Sequence, residues 1–292
     1  MSSRPDSPVQ ILAPAKINLN LAVGPRRADG YHRVCSLMEP VSLFDRLVMK
    51  RRRAGGLALD GGGVPAAENT VTKAVLALEK LTGFRLDAKI ELEKGIPVAA
   101  GLGGGSSDAA TALKLIESTF GLKVSEAEMA ALAFSVGADV PFFLKNGARL
   151  AEGAGEDLAD VGCLPNHWIV LASPGFELSA ERVYQKFDEM GGGDEMEFAG
   201  RSRRLHEDIA ALGGFESLSR VIRNDLEPAA VSICSGVAEL KQRMEEAGCA
   251  AVLMSGSGPS VFGLFPDSES ARAAARRLRP RVPSVWVVRP LL

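Results

Sequence analysis

The chain has 292 residues, of which 46% are hydrophobic and 24% charged, a balance that supports a sizeable core and excludes intrinsic disorder. Single hydrophobic cores stop growing at a few hundred residues, so two domains are expected. A net charge of -2 argues against a nucleic-acid backbone or an acidic membrane surface as the main partner, because both reward a basic excess; a small molecule is the expected partner.

The first stretch, Met1 to Gln10, is polar and holds two prolines, which is not the pattern of a secretory leader. From Ile17 to Val23 apolar residues alternate with Asn18 and Asn20, predicting a half-buried strand preceded by Lys16. Asp29-Gly30 signals a hairpin turn, with Tyr31 to Met38 returning. Val71, Ala74, Val75, Leu78 and Leu81 have helical spacing over 68–81, and Gly83 stands where a helix would stop. A short strand follows over 89–93, then Gly101-Leu102-Gly103-Gly104-Gly105-Ser106-Ser107-Asp108 leads into a helical run over 109–118. Ser125 and Glu128 form a capping-box pattern for a helix ending near Gly137, and a strand is expected over 140–144.

The chain turns rich in Gly, Asp and Pro near 150–166, which places a domain boundary there: residues 1-165 and 166-292. In the second part, strands expected near 168–172, 250–254, 260–265 and 284–289 alternate with helices near 235–247 and 268–279, a split βαβ, ferredoxin-like order. Residues 190–200, with three consecutive glycines and several acids, read as a surface loop. No stretch approaches a membrane span, and a cytoplasmic location is expected. Cys35, Cys163, Cys234 and Cys249 are far apart in sequence and suggest neither a disulfide framework nor a zinc site. His32, His167 and His206 are too few for a chemistry built on several histidines.

The strongest chemical signal is the glycine-rich run from Gly101 to Asp108. Bare glycines let backbone N–H groups close on an anion, and a helix N-terminus adds positive potential. The spacing is neither a Walker A motif nor G-x-G-x-x-G. Ser106 and Ser107 could cap the helix or reach a phosphate or magnesium ion. Gly256-Ser257-Gly258-Pro259-Ser260 is a second glycine-rich loop, by itself read more readily as a hairpin turn. Lys16 could be merely solvated. Asp139, at the entrance to an apolar segment, could cap a turn or serve in proton transfer if burial tunes it. The basic clusters over 50–53, 201–204 and 272–281 read first as solvated faces.

Taken together, Pro14-Ala15-Lys16-Ile17-Asn18, the run from Pro97 to Ala110, and the run from Ser255 to Phe262 resemble the three motifs of the GHMP kinases, in that family's order. Asp29-Gly30-Tyr31-His32, the run from Gly137 to Phe142, and Asn224-Asp225-Leu226-Glu227 narrow the resemblance to family members acting on a cytidine diphosphate methylerythritol. The resemblance implies an α+β, two-lobed GHMP kinase fold, with an N-terminal α/β lobe and a ferredoxin-like C-terminal lobe. It implies transfer of phosphate from ATP, with Mg2+, to the 2-hydroxyl of that substrate, a step of isoprenoid precursor synthesis by the non-mevalonate route.

Carried over residue by residue, Asp139 is the general base and Lys16 stabilises the transferring phosphoryl. Gly101, Leu102, Gly103, Gly104, Gly105, Ser106 and Ser107, with Pro97 ahead of them, hold the nucleotide phosphates, and Asn69 lies near the adenine. Asn18 contacts the substrate. The cytosine is held by Tyr31, His32 and Tyr184, through stacking and an edge hydrogen bond. Arg33 and Ser179-Ala180 depart from the family's usual residues, which puts polar contacts to the substrate there in doubt, and Asn69-Thr70 replaces the usual Asn-Leu. Two alternatives stay open: a GHMP kinase for another small alcohol such as homoserine, mevalonate or a sugar, and a nucleotide-binding module without catalysis. A monomer or weak homodimer is expected.

Overall fold

A computed structural model describes residues 7–292; of the polar N-terminal stretch, residues 1–6 lie outside the described residues. The chain forms, in order, β1 (Val9–Arg26), β2 (His32–Arg51), β3 (Leu57–Gly61), α1 (Thr70–Thr82), β4 (Ala88–Glu93), α2 (Gly104–Phe120) and α3 (Glu126–Val136). A 3-10 helix at Pro141–Leu144 precedes β5 (Arg149–Glu152), β6 (Asp157–Asp160), β7 (Trp168–Ser173), α4 (Ala180–Glu189), α5 (Glu195–Ala210) and α6 (Phe215–Val221). Then come β8 (Arg223–Asn224), α7 (Glu227–Ile233), α8 (Gly236–Glu246), β9 (Ala251–Met254), β10 (Val261–Phe265), α9 (Ser268–Leu278) and β11 (Ser284–Val288). Among the described residues no helix is long and apolar enough to cross a membrane.

Two compact units result. One comprises the chain up to Ala15, Leu43–Val98 and Gly103–Lys145; the other comprises Lys16–Ser42, Ala99–Leu102 and Asn146–Leu292. In the first unit, the end of β2 pairs antiparallel with β4 from Arg46↔Glu93 to Arg51↔Ala88, and β3 pairs parallel with β4. Helix α1 packs on α2 and α3. The buried stripe Val71, Ala74, Val75 and Leu78 on α1 is the one its spacing predicts. Asn69 caps its start through Val71 N, and left-handed Gly83 ends it. Helix α3 has the expected capping box, with Ser125 and Glu128 each closing on the other's backbone N–H.

In the second unit, β7, β9, β10 and β11 form an antiparallel sheet in the order β11-β7-β10-β9. Numbered along the chain that order is 4-1-3-2, and α8 and α9 are the crossovers, which gives the ferredoxin-like split βαβ. Its core gathers Val170 and Ala172 of β7 with Leu240 and Met244 of α8 and Ala271, Ala274 and Leu278 of α9. Each large apolar side chain taken from water stabilises the fold by about 1.5–3 kcal/mol. In the same unit β5 pairs with the first half of β2, β6 pairs with β5, and β8 pairs parallel with β1.

Three expectations need correction. Pro141–Leu144 forms the 3-10 helix where a strand is expected over 140–144, because Pro141 favours a first helical turn. Residues 190–200 are not all loop, because Asp194 caps α5 and Glu195 and Glu197 in its first turn suit the positive end of the helix. Strand β1 is not half-buried: Lys16, Asn18 and Asn20 are all buried. Their polar atoms find one another instead of water. Lys16 Nζ donates to Asn18 Oδ1 at 2.5 Å, Asn18 Nδ2 to Ser36 Oγ at 2.8 Å, Ser36 Oγ to the Asn20 carbonyl at 2.6 Å, and Asn20 Nδ2 to the Val221 carbonyl at 2.5 Å.

The second unit also buries an ion pair. His167 Nε2 lies 2.9 Å from Glu39 Oε2, and its Nδ1 lies 2.7 Å from the Pro165 carbonyl, so acceptors face both ring nitrogens. Burial lowers the His167 pKa, but the Glu39 hydrogen bond and charge and the Pro165 carbonyl outweigh it, and the net shift is upward. A raised folded pKa means that this stabilisation is fully present below the unfolded value of about 6.5 and is lost as pH rises through the folded value. Glu39→Ala should therefore cost about 3 kcal/mol below pH 6.5 and less at pH 9, read by denaturant unfolding at both pH values. An equal cost at both would show that the pair does not titrate.

Candidate active site

The three motif segments are far apart in sequence, and parts of all three converge within the second unit. Lys16 N donates to the Leu102 carbonyl at 3.0 Å, joining the first segment to the glycine-rich loop. Ser255 Oγ donates to the Gly101 carbonyl at 3.0 Å and accepts from Asn18 N at 3.4 Å, so one hydroxyl ties all three together. Ser260 N donates to the Ala100 carbonyl at 3.3 Å. The approach leaves no room for a side chain at Gly101, where φ is +75° and a Cβ would lie 2.1 Å from the Ser255 carbonyl. At Gly256 a Cβ would stand 3.1 Å from Asn18 Oδ1 and 3.4 Å from Lys16 Nζ. The second glycine-rich loop is therefore packed on the first and against Lys16, and is more than a hairpin turn.

Asn224 and its neighbours fix that loop from behind. Asn224 Nδ2 donates to the carbonyls of Met254 at 2.9 Å and Gly256 at 2.7 Å, while its Oδ1 accepts from Leu226 N at 2.9 Å. Asp225 Oδ2 accepts from Val23 N at 3.0 Å and pairs with Arg201. Glu227 Oε2 accepts from Met254 N at 2.9 Å. The segment from Asn224 to Glu227 thus acts as a bracket for the backbone. Its short length and lack of periodicity hide that role in the sequence.

In the first unit, α2 begins at Gly104 with Gly103 at its N-cap, which has no side chain to close the first turn. Free N–H groups and the helix dipole together favour an anion at such an end. Ser107 in the first turn is fully buried, and its Oγ has no hydrogen-bond partner among the described residues. Upstream, Ala99 holds a φ of +49°, a conformation an L side chain occupies only when its surroundings impose it. Asn69 Oδ1 caps α1, and Thr70 Oγ1 donates to the Gly105 carbonyl at 2.6 Å. The Asn69-Thr70 departure thus gives α1 a hydrogen bond onto the start of α2. Asp139 lies in the turn between α3 and the 3-10 helix and is partly buried.

The start of α2 rests on a buried charge cluster that sequence reading missed. Asp45, from β2, accepts from Gly95 N at 2.7 Å and Ile96 N at 2.8 Å through Oδ1. Lys94 Nζ bridges Asp45 Oδ2 and Asp108 Oδ2, the latter at 2.7 Å. Burial, opposed by the Lys94 charge and reinforced by Asp45, pushes the Asp108 carboxyl up to about 7. Two carboxylates share one cation there.

Pro97 lies in the first unit, and Tyr31, His32 and Tyr184 lie in the second. The His32 and Tyr184 rings stack with centroids 5.0 Å apart and an interplanar angle of 28°. His32 Nε2 is 2.8 Å from Asp188 Oδ1, and the His32 ring meets Phe187 edge-on. His32 is buried. Tyr31 is 46% exposed. Arg33 ion-pairs with Glu195 at 2.6 Å and lies over the Phe198 ring, while Ser179 caps α4. Both departures therefore have structural partners.

The family model for the GHMP kinases N terminal domain matches residues 69–147, and that for the GHMP kinases C terminal domain matches residues 205–283. The chain belongs to the GHMP kinases. A 4-diphosphocytidyl-2-C-methyl-D-erythritol kinase of Pelotomaculum thermopropionicum is 40% identical over 284 residues, covering 96% of this chain and 97% of the relative. A crystal structure of 4-(cytidine 5'-diphospho)-2C-methyl-D-erythritol kinase aligns with a TM-score of 0.78 at 35% identity, covering 97% of this chain and 100% of that one. Within the GHMP kinases, the chain is a member of the 4-diphosphocytidyl-2-C-methyl-D-erythritol kinase family. Homoserine kinase from Cytophaga hutchinsonii aligns with a TM-score of 0.75 at 20% identity, covering 100% of this chain and 96% of that one, a likeness of fold.

The charge cluster makes a testable claim. A carboxyl whose folded pKa lies above the unfolded value of about 3.9 binds more protons when folded, so it lowers stability as pH rises from about 4 to about 7 and adds no slope above that. Asp108→Asn mimics the protonated form and leaves Lys94 paired with Asp45. Unfolding stability of the variant should fall less than that of wild type between pH 4 and pH 7; identical slopes would exclude the titration.

Proposed function

We propose that the protein transfers the γ-phosphoryl group of ATP to the 2-hydroxyl of 4-diphosphocytidyl-2-C-methyl-D-erythritol, a step of isoprenoid precursor synthesis by the non-mevalonate route. The observation that carries this reading is the joining of Lys16, Asn18, Gly101 and Ser255 by backbone and side-chain hydrogen bonds, in a chain 40% identical to such a kinase. Phosphoryl transfer asks the protein mainly for positioning and charge stabilisation.

Asp139 takes the proton from the 2-hydroxyl as that oxygen bonds to the γ-phosphorus and the bond to the departing ADP oxygen breaks. Lys16 offsets the negative charge that spreads over the transferring oxygens. Its ammonium is already oriented by Asn18, so little reorganisation is needed. The backbone from Gly101 to Ser107 receives the nucleotide phosphates, with Pro97 fixing the approach to the loop and Asn69 near the adenine. The open first turn of α2 and the unpartnered Ser107 hydroxyl fit a phosphate with its magnesium ion. Ser106 and Ser107 would supply hydroxyl ligands to Mg2+, a hard cation that prefers oxygen and neutralises phosphate charge. Asn18 meets the erythritol portion, and Tyr31, His32 and Tyr184 hold the cytosine. His32 stacks on Tyr184 and the neighbouring Tyr31 is half-exposed, which supports an aromatic site for a planar base.

Turnover of the cytidine substrate should far exceed that of homoserine or mevalonate under identical conditions, and Asp139→Asn should reduce kcat by at least about 100-fold. Unchanged kcat in that variant would remove Asp139 from the role of base, and preference for another alcohol would overturn the substrate assignment. Tyr31→Ala should raise KM for the cytidine substrate about 5- to 100-fold, the loss of one base-stacking contact, with a smaller effect on kcat. An unaltered KM would exclude Tyr31 from base recognition.

A further inference from the structure

Away from the residues assigned above, the second unit brings three metal-binding residue types together from three elements. Cys35 lies on β2, Glu152 ends β5, and His206 lies on α5. One ligand atom from each falls within 4.8 Å of the other two. The β2–β5 register pairs Ser36 with Ala151 and Met38 with Arg149, which sets Cys35 directly opposite Glu152 on one face of the sheet. Helix α5 then carries His206 over that pair, its Nε2 3.6 Å from Glu152 Oε2.

We propose that Cys35, Glu152 and His206 form a binding site for a zinc-type divalent transition ion. Three features support it. First, the donor set of one thiol, one imidazole and one carboxylate is of the type zinc takes, with a fourth position left for water. Tetrahedral bonds of 2.0 to 2.3 Å set ligand atoms about 3.3 to 3.8 Å apart, so the observed spread needs only small side-chain rotations.

Second, His206 is held in the tautomer that a metal requires. Its Nδ1 lies 2.9 Å from the Ser202 carbonyl, which can only accept, so Nδ1 carries the hydrogen and Nε2 presents its lone pair toward Glu152 and Cys35. At 3.6 Å the Nε2–Glu152 separation is too long for a hydrogen bond and suits two ligands of a shared cation.

Third, two of the three donors face solvent: the Glu152 and His206 side chains are 41% and 48% exposed, while Cys35 is fully buried. A bound cation would clamp α5 onto the β2–β5 pair. The site differs in kind from the phosphate loop, because a sulfur donor disfavours Mg2+. This inference does not rest on the proposed activity, and its test does not measure activity.

The experiment is a titration of the full-length protein with Co2+, the spectroscopic stand-in for Zn2+, in the absence of nucleotide. Cys163 is exposed and could bind the ion on its own, so every sample carries Cys163→Ser. The expected result is a thiolate-to-cobalt charge-transfer band that saturates at one equivalent. Stoichiometric Zn2+ should abolish it, and millimolar Mg2+ should leave it unaltered. Cys35→Ser should remove the band, and His206→Ala, altering an exposed side chain, should weaken binding at least about 10-fold. If Cys35→Ser does not fold, His206→Ala decides alone. No band in the folded protein, a band that survives Cys35→Ser, or equal affinity in His206→Ala would each overturn the proposal.

Discussion

The backbone of Gly101 and the backbone of Ser255 come so close that no side chain fits at Gly101. That contact fixes the position of everything around it. The Ser255 hydroxyl bridges to the Gly101 carbonyl and to Asn18 N, so two loops and the strand carrying Lys16 share one hydrogen-bonded junction. The bracket formed by Asn224 and Glu227 holds the far side of the Ser255 loop through the Met254 and Gly256 backbone. A larger residue at Gly101 would separate the segments and leave buried N–H and carbonyl groups without partners, which costs more than the lost contact alone.

The polar residues of β1 obey the same constraint. Lys16, Asn18 and Asn20 of β1 and Ser36 of β2 are buried and joined by hydrogen bonds that end on the Val221 carbonyl. Such a chain restricts each side chain to one rotamer, so Lys16 is held in place before any ligand arrives. In the other unit the Lys94 ammonium between Asp45 and Asp108 does the corresponding work for the first turn of α2. Phosphoryl transfer rewards this economy of motion, because preset charges need no reorganisation at the moment of reaction.

Backbone shape does not select the substrate. Homoserine kinase shares the fold at a TM-score of 0.75 with 20% identity. The difference between members of the superfamily must therefore lie in side chains placed on a common frame. In this chain the His32 and Tyr184 rings stack, and Arg33 and Ser179 are engaged in the protein's own contacts.

Local structure was legible in the sequence wherever a short-range signal dominated. The α1 stripe, the Ser125–Glu128 box, the Gly83 stop and the alternation of helices and strands from α8 to β11 depend on neighbours within one or two turns, and the chain states them directly, whereas α4 to α7 were not read from it. Signals misled where a nearby feature overrode them: Pro141 turned an apolar run into a 3-10 helix, and Asp194 started a helix in what composition presents as a loop. The motifs fixed the family, because their order and spacing are properties of the chain. Burial of Lys16 and Asn18, the charge cluster of Asp45, Lys94 and Asp108, and the meeting of Cys35 with Glu152 and His206 were decided only in three dimensions. Each joins groups tens or more than a hundred residues apart, and the energy of such a contact depends on distance and desolvation, which no local pattern encodes.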